Sequence, residues 1–158
     1  MKKLRFLVSL TTSDNDYQIE QPQSAEDAAR KSGLELQVIY ADNDAVTQST
    51  QLLKAIQTEE SHRPDAIIFE PVGGTALPQV ARAAASAGIG WAVLNRDANY
   101  VPDLRKSSSA PVSLSHPTIS RSVTSKAAKL LHSYLMVATF SAFKDRPRIP
   151  PPRIELQA

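Results

Sequence analysis

Short apolar runs alternate with longer amphipathic segments along the first 114 residues of the sequence. The run at residues 66–69 is continuous, which is typical of a strand that is buried on both faces of a parallel sheet, and the composition of residues 4–10 indicates the same. Four runs are complete, and a fifth opens just before Leu114. The predicted strands lie at residues 4–10, 34–40, 66–69, 91–94 and 111–114.

The segments between the first three strands predict two helices. The first helix runs from about residue 17 to residue 32 and ends at Gly33, with Pro22 expected in its first turn or at a kink. The second helix runs from about residue 44 to residue 58. Its predicted inner face, set by helical spacing, consists of Val46, Leu52, Leu53 and Ile56.

A third helix is predicted between the third and fourth strands. Pro71 and the Gly73-Gly74 pair end the third strand, and Thr75 is the predicted N-cap of the helix. Gly88 closes this helix. The stretch that follows the fourth strand is polar and rich in serine, and no helix is predicted there.

Repeated alternation of strand and helix predicts a doubly wound α/β domain with a flavodoxin-like parallel sheet over residues 1–114. Ligands of such open sheets bind at the carboxyl ends of the strands. Glu70 follows the third strand, and Asn95 and Arg96 follow the fourth, so we expect them on one functional edge. The loop at residues 11–17 leaves the same edge and is rich in hydroxyl, amide and carboxylate groups.

The charges of the chain are unevenly distributed. Residues 1–114 hold 11 Lys and Arg against 14 Asp and Glu, whereas residues 115–158 hold 7 against 2. The body therefore lacks the basic stripe that nucleic-acid binding requires. The sequence contains no Cys, which excludes a disulfide framework and thiolate metal ligands. No segment is long enough to span a membrane.

The amino-terminal residues imitate a secretory signal. Lys2 and Lys3 precede an apolar run, but this run is short and no small-residue cleavage site follows it. A first β-strand is the better interpretation, so no signal peptide is predicted.

Two other functions on the same sheet are alternatives. Acidic residues at strand ends, such as Asp14, Asp42 and Asp44, suggest a flavodoxin-like receiver, but the Lys that a receiver needs after strand five is missing. Gly73-Gly74 could hold a phosphate at a helix start, although a turn is the simpler interpretation. No nucleotide-binding glycine motif, metal-ligand spacing or Ser-His-acid set occurs, so we predict neither a cofactor nor an enzyme.

Several short motifs occur in an order that resembles the N-terminal lobe of periplasmic sugar-binding proteins of the ribose-binding type. The same fold serves as the effector domain of lactose-repressor-type regulators. The resemblance covers residues 3–114. Its marks are Asn15-Asp16-Tyr17, ADND at residues 41–44, Gln48, DAIIFEP at residues 65–71, Ala76-Leu77-Pro78, AASAGI at residues 84–89, and NRD at residues 95–97.

The resemblance implies a function and a set of ligand-binding residues. The family's Asn and aromatic after strand one match Asn15 and Tyr17, and its Asp-Arg pair after strand four matches Asn95 and Arg96. Such proteins bind a sugar-like molecule between two lobes in the periplasm and deliver it to an ABC permease. Because no signal peptide is predicted, a cytoplasmic location is the alternative. The chain has Asp16 where the family usually has Pro, and Asn95 where it has Asp. The ligand is therefore expected to differ from a plain pentose or hexose.

The chemistry of these side chains suits a polyol. Arg96 presents a planar fork of donors, each Asn both donates and accepts, and Glu70 accepts a hydroxyl. Tyr17 can stack on a sugar face. The alternatives are that Arg96 pairs only with its neighbour Asp97, that Tyr17 packs at a helix end, and that Glu70 is a solvated turn residue. Trp91 is predicted to lie in the core rather than to contact ligand.

Residues 115–158 depart from this pattern. They contain no Gly and five of the 11 Pro, which predicts a basic, partly helical or poorly ordered tail. Synonymous codons for residues 114–146, read one base out of frame, give a sequence that resembles the family's fifth strand, next helix and sixth strand. In that frame Met136-Val137 encodes only Gly. We hypothesise a frameshift near Leu114; the alternative is a genuine Pro-rich tail that binds a partner in polyproline geometry.

Overall fold

A single five-stranded sheet organises the protein. The computed structural model describes residues 3–14 and 16–115. All neighbouring strands in the sheet are parallel, and their order β2-β1-β3-β4-β5 is that of flavodoxin-like sheets. The strands are β1 (Arg5–Leu10), β2 (Glu35–Tyr40), β3 (Ala66–Phe69), β4 (Gly90–Leu94) and β5 (Val112–Ser115).

Helices cover both faces of this sheet, which confirms the predicted doubly wound α/β fold. Three alanines of α1 pack against one face, and the inner residues of α2, α3 and α4 pack against the other. A short 3-10 helix, Val72–Gly74, joins β3 to α3. The α-helices are α1 (Asp16–Ser32), α2 (Ala45–Gln57), α3 (Pro78–Ser86) and α4 (Val101–Ser107).

The strands send successive side chains to opposite faces and so build two apolar clusters. Phe6, Val8 and Leu10 belong to the cluster beneath α1. Phe69 and Trp91 belong to the cluster beneath α2, α3 and α4, with their ring centroids 4.6 Å apart. Trp91 is fully buried, which confirms its predicted place in the core.

Helix α2 presents a different inner face from the predicted one. Val46 is 73% exposed, so its assignment to the inner face is wrong. The buried residues are Gln48, Leu52 and Ile56, each four positions from the next. Because a helix has 3.6 residues per turn, Val46 lies nearly opposite Gln48. The prediction counted apolar residues and therefore passed over a polar residue in the core position.

The start of α3 also differs from the prediction. Thr75 is not its N-cap; the Thr75 backbone N–H instead donates to the carbonyl of Val72 over 3.0 Å. The N-cap is Leu77, in the left-handed conformation at φ 46° and ψ 56°, directly before Pro78. The Leu77 side chain is buried in the core. Burial of a Leu contributes about 1.5–3 kcal/mol, which offsets a left-handed cost of about 1–3 kcal/mol.

The polar stretch after β4 contains the helix α4, which was not predicted. Val101 and Leu104 lie three positions apart and are both buried against the sheet. Pro102 occupies the first turn, where its missing N–H costs nothing. Val101 and Leu104 are the only large aliphatic residues in this serine-rich segment, so the apolar periodicity is too weak to predict a helix.

Pro22 lies inside α1 beyond the first turn, where it removes a helical hydrogen bond. The predicted tail and the segment on which the frameshift hypothesis rests lie outside the described residues, apart from Leu114 and Ser115.

In the described part of the chain, none of the helices combines the length and the apolar character needed to cross a membrane.

Candidate functional site

The strands β1, β3 and β4 end at the same level of the sheet. Ser9 is opposite Phe69 in the register, and Phe69 is opposite Val93. The N–H of Glu70 donates to the carbonyl of Ser9 over 2.9 Å, which continues the ladder one residue past β3. The side chains that follow β3 and β4 therefore emerge side by side at the carboxyl edge.

Glu70 and Asn95 form a direct contact at this edge. Asn95 Nδ2 donates to Glu70 Oε1 over 3.2 Å, and both residues are half-buried. Asn95 has a positive φ of 59°, a conformation that Asn tolerates better than most residues. Arg96 follows and is exposed. We call the surface formed by Glu70, Asn95 and Arg96 the carboxyl rim.

A tight turn follows β2 at the same carboxyl edge of the sheet, beside the loop after β1. Asp42 and Asn43 both have positive φ, 51° and 58°, and the N–H of Asp44 donates to the carbonyl of Ala41 over 2.9 Å. The N–H of Asn43 donates to the carbonyl of Thr11 over 2.8 Å and joins this turn to the loop after β1. Three of the four non-glycine residues with positive φ in the described ranges thus lie at the carboxyl edge. Such conformations concentrate at functional sites.

Gln48 closes the crevice between β1 and β3. Its fully buried side chain donates from Nε2 to Ser9 Oγ over 3.1 Å and to the carbonyl of Glu70 over 2.9 Å. Its Oε1 accepts from the N–H of Val72 over 3.1 Å. Strand order reverses between β1 and β3, and this switch point is where open α/β sheets hold ligands. In this protein the amide of Gln48 occupies the switch point. The sequence resemblance includes Gln48 as a mark but predicts no role for its side chain.

Asp44 caps the helix that follows the β2 turn. Its carboxylate accepts from the Thr47 hydroxyl and from the N–H groups of Thr47 and Val46. The Thr47 hydroxyl is the main cause that lowers the pKa of Asp44 below its ordinary value, and the two backbone N–H groups add to it.

The lowered pKa of Asp44 predicts a stability difference that depends on pH. Because the folded state favours the carboxylate, this stabilisation is present above the unfolded pKa near 3.8 and is lost as pH falls through the lower folded value. We expect Asp44→Asn, which can still cap, to be less stable than the native protein at pH 7. Urea unfolding from pH 7 down to pH 2 should show the two midpoints converging. A midpoint difference that stays constant over this range would contradict the assignment.

Three predicted site residues are not placed by the structure. Asn15 lies outside the described residues. Asp16 and Tyr17 form the start of α1, and their side chains lie outside the description as well. Glu70, Asn95 and Arg96 are brought to one edge as expected, and the first two of them are in contact.

A groove at the opposite, amino edge of the sheet contains none of these residues. It has a volume of about 510 Å³ and lies between β2 and the second half of α2, with Gln37, Lys54 and His62 among its lining residues. Among the described residues, no group of three or more His, Asp or Glu side chains is placed to hold a metal ion.

Comparison with solved structures identifies the fold. A periplasmic solute-binding protein of an ABC transporter from Actinobacillus succinogenes 130z, with bound D-allose, is 24% identical with a TM-score of 0.56 over 70% of this chain and 38% of that one. A periplasmic sugar-binding protein from Pseudomonas fluorescens is 22% identical with a TM-score of 0.56 over 70% and 31%. A solute-binding protein from Bacillus halodurans C-125, with bound myo-inositol, is 24% identical with a TM-score of 0.53 over 63% and 33%.

These similarities concern one part of longer proteins, since the chain covers between 31% and 38% of them. At such identities the likeness establishes the fold. No curated protein matches the sequence significantly. The family model of the periplasmic binding protein domain matches residues 6–112, well over half of the chain. The strand order, the helices on both faces and this match agree, and the chain belongs to the periplasmic binding protein domain family.

Proposed function

We propose that the described lobe is one half of a solute-binding protein and that a small polyhydroxy molecule binds at its carboxyl rim. The observation that carries this proposal is the contact between Glu70 and Asn95 at the ends of adjacent strands. In this contact Asn95 donates, so its Oδ1 and the Glu70 carboxylate both present acceptor oxygens. Arg96 adds a fork of donors beside them.

This combination matches the chemistry of a sugar or cyclitol. Each hydroxyl donates one hydrogen bond and accepts others, so a diol can donate to Glu70 and Asn95 while Arg96 donates to a third oxygen. D-allose and myo-inositol, which are bound in two of the solved relatives, are molecules of this class. Asn15, Asp16 and Tyr17 are proposed to complete the site from the loop after β1.

The proposed role is binding without chemical change. The resemblance supports a periplasmic location and delivery of the ligand to an ABC permease, with a second lobe covering the rim. A single lobe offers one face of the cleft, so we expect an affinity of roughly millimolar for a ligand that the two-lobed protein would bind about a thousandfold more tightly.

Ligand-observed NMR with D-allose and myo-inositol tests the proposal. We expect the native chain to bind at least one of them, and we expect Arg96→Ala and Glu70→Gln each to weaken that binding by about tenfold because each loses a direct hydrogen bond. Arg82→Ala on α3 and Glu60→Gln before β3 are matched controls, since both residues are exposed and lie away from the rim.

Two outcomes would contradict the proposal. One is no binding of either sugar by the native chain. The other is an equal loss of binding in the rim variants and in the controls. Inorganic phosphate serves as a further probe, because saturable phosphate binding without sugar binding would favour the phosphate-binding alternative at Gly73 and Gly74.

A further inference from the structure

The side chain of Gln48 is fully buried and uses both ends of its amide. Its two N–H donors are directed to the Ser9 hydroxyl and the Glu70 carbonyl, and its oxygen accepts from Val72. A helix on the surface of a domain seldom buries a Gln, because every polar atom of a buried Gln side chain needs a hydrogen-bond partner. Here three partners come from β1 and from both sides of Pro71, so one side chain joins two strands to the following turn.

These contacts restrain the backbone of Glu70 at both of its polar groups. Its N–H donates to the Ser9 carbonyl over 2.9 Å, and its carbonyl accepts from Gln48 over 2.9 Å. The next residue, Pro71, has its φ fixed at −65° by its ring, and Val72 is then held by Gln48 again. The Cα of Glu70, from which its side chain extends, is therefore restrained by its own N–H, by its own carbonyl and by the fixed turn that follows it.

The Glu70 side chain carries this restraint to the carboxyl rim through its 3.2 Å contact with Asn95. We propose that Gln48 is a positioning residue that holds the Glu70 carboxylate against Asn95 in the geometry that a ligand meets. This inference rests on the proposed function for its ligand. Gln48 itself fills the switch-point crevice beneath the rim and does not contact the ligand.

Side-chain NMR of Asn95 tests the positioning claim without any ligand. In Gln48→Met, which keeps the chain length and removes the amide, we expect amide hydrogen exchange of Val72 to become at least about tenfold faster because its acceptor is lost. We also expect the Asn95 Nδ2 resonances to shift. Gln57→Met, at the exposed end of the same helix, is the control and should change neither.

A role confined to packing would give a different result. If Val72 loses protection in Gln48→Met while the Asn95 resonances stay unchanged, the positioning claim is wrong. Should Gln48→Met fail to fold, Gln48→Glu replaces it. When ionised, the introduced carboxylate accepts from Val72 but cannot donate to the Glu70 carbonyl. At alkaline pH that variant should therefore preserve Val72 protection and still shift the Asn95 resonances.

The ligand arm uses a double-mutant cycle with D-allose and myo-inositol as probes. Gln48→Met should weaken binding by about tenfold in the native background and have little effect in Glu70→Gln, because both changes act on the same carboxylate. Equal weakening in both backgrounds would overturn the link through Glu70. If neither sugar binds the native chain, the proposed function fails, and the Asn95 measurement still decides the positioning claim.

Discussion

Replacing Gln48 with Leu is expected to lower the free energy of unfolding by about 2–4 kcal/mol. The substitution leaves the Ser9 hydroxyl, the Glu70 carbonyl and the Val72 N–H without the partners they now have. Each buried polar group left unpaired costs about 1–3 kcal/mol, and the greater apolarity of Leu recovers part of the loss. Urea unfolding followed by circular dichroism measures the difference.

The matched substitution for this prediction is Gln57→Leu. Gln57 is the exposed last residue of α2, so its replacement should change the free energy of unfolding by less than about 0.5 kcal/mol. A Gln48→Leu variant as stable as Gln57→Leu would show that the three hydrogen bonds contribute nothing to folding.

Replacing Trp91 with Ala is expected to lower the free energy of unfolding by about 3–5 kcal/mol. Trp91 is fully buried, packs against Phe69, and donates from Nε1 to the hydroxyl of Tyr100 over 3.1 Å. The Tyr100 hydroxyl in turn donates to the carbonyl of Ala76 over 2.5 Å. The substitution removes the largest side chain of this cluster and leaves Tyr100 without its donor. Because Trp91 is the sole Trp in the chain, its replacement removes the tryptophan fluorescence signal. Urea unfolding should therefore be followed by circular dichroism.

Trp91→Phe separates packing from hydrogen bonding. It keeps an aromatic ring against Phe69 but loses the N–H donor and part of the ring volume, so we expect a smaller cost of about 1–2 kcal/mol. Burial raises the pKa of Tyr100 to about 12, and the hydrogen bond from Trp91 partly opposes this shift. The Tyr100 hydroxyl is therefore protonated at neutral pH and can donate to Ala76.

A Trp91→Ala variant with the same urea midpoint of unfolding as the native protein would contradict the assignment of Trp91 to the core.

Strands β3 and β4 could be predicted from the sequence because they are uninterrupted apolar runs, whereas β2 alternates polar and apolar residues and is only partly buried. Residues 66–69 are completely buried, and continuous apolarity is the pattern that such burial requires. The C-terminal end of α1 at Ser32 was also predictable, because the next residue, Gly33, takes the positive φ of 69° that commonly ends a helix. In both cases a local signal and the tertiary structure favour the same result.

The errors arise where tertiary contacts outweigh local preference. Leu77 takes a left-handed N-cap position because its side chain is buried, whereas Thr75 is the better cap by residue type. Gln48 is buried because partners from β1 and from the turn after β3 converge on it, and they are 39 and 22–24 positions away in the chain. The pattern of apolar residues within α2 alone cannot predict hydrogen-bond partners that are so far away in the chain.

The candidate site shows the same division. Glu70 and Asn95 could be placed at one edge because each follows a parallel strand. Their contact depends on the register between β3 and β4 and on the positive φ of Asn95, which the sequence does not specify. The assignment of Asn15, Asp16 and Tyr17 to the same site remains a prediction.

Backbone NMR of the ¹⁵N-labelled chain during titration with D-allose and myo-inositol tests the central claim most directly. If the account is correct, the amide resonances that move are those of Glu70, Asn95 and Arg96 and of residues 15–17 after β1, while those of Lys54 and His62 in the amino-edge groove stay in place. Resonances that move only around the groove, or a spectrum unchanged by either sugar at concentrations well above the expected millimolar affinity, would contradict it.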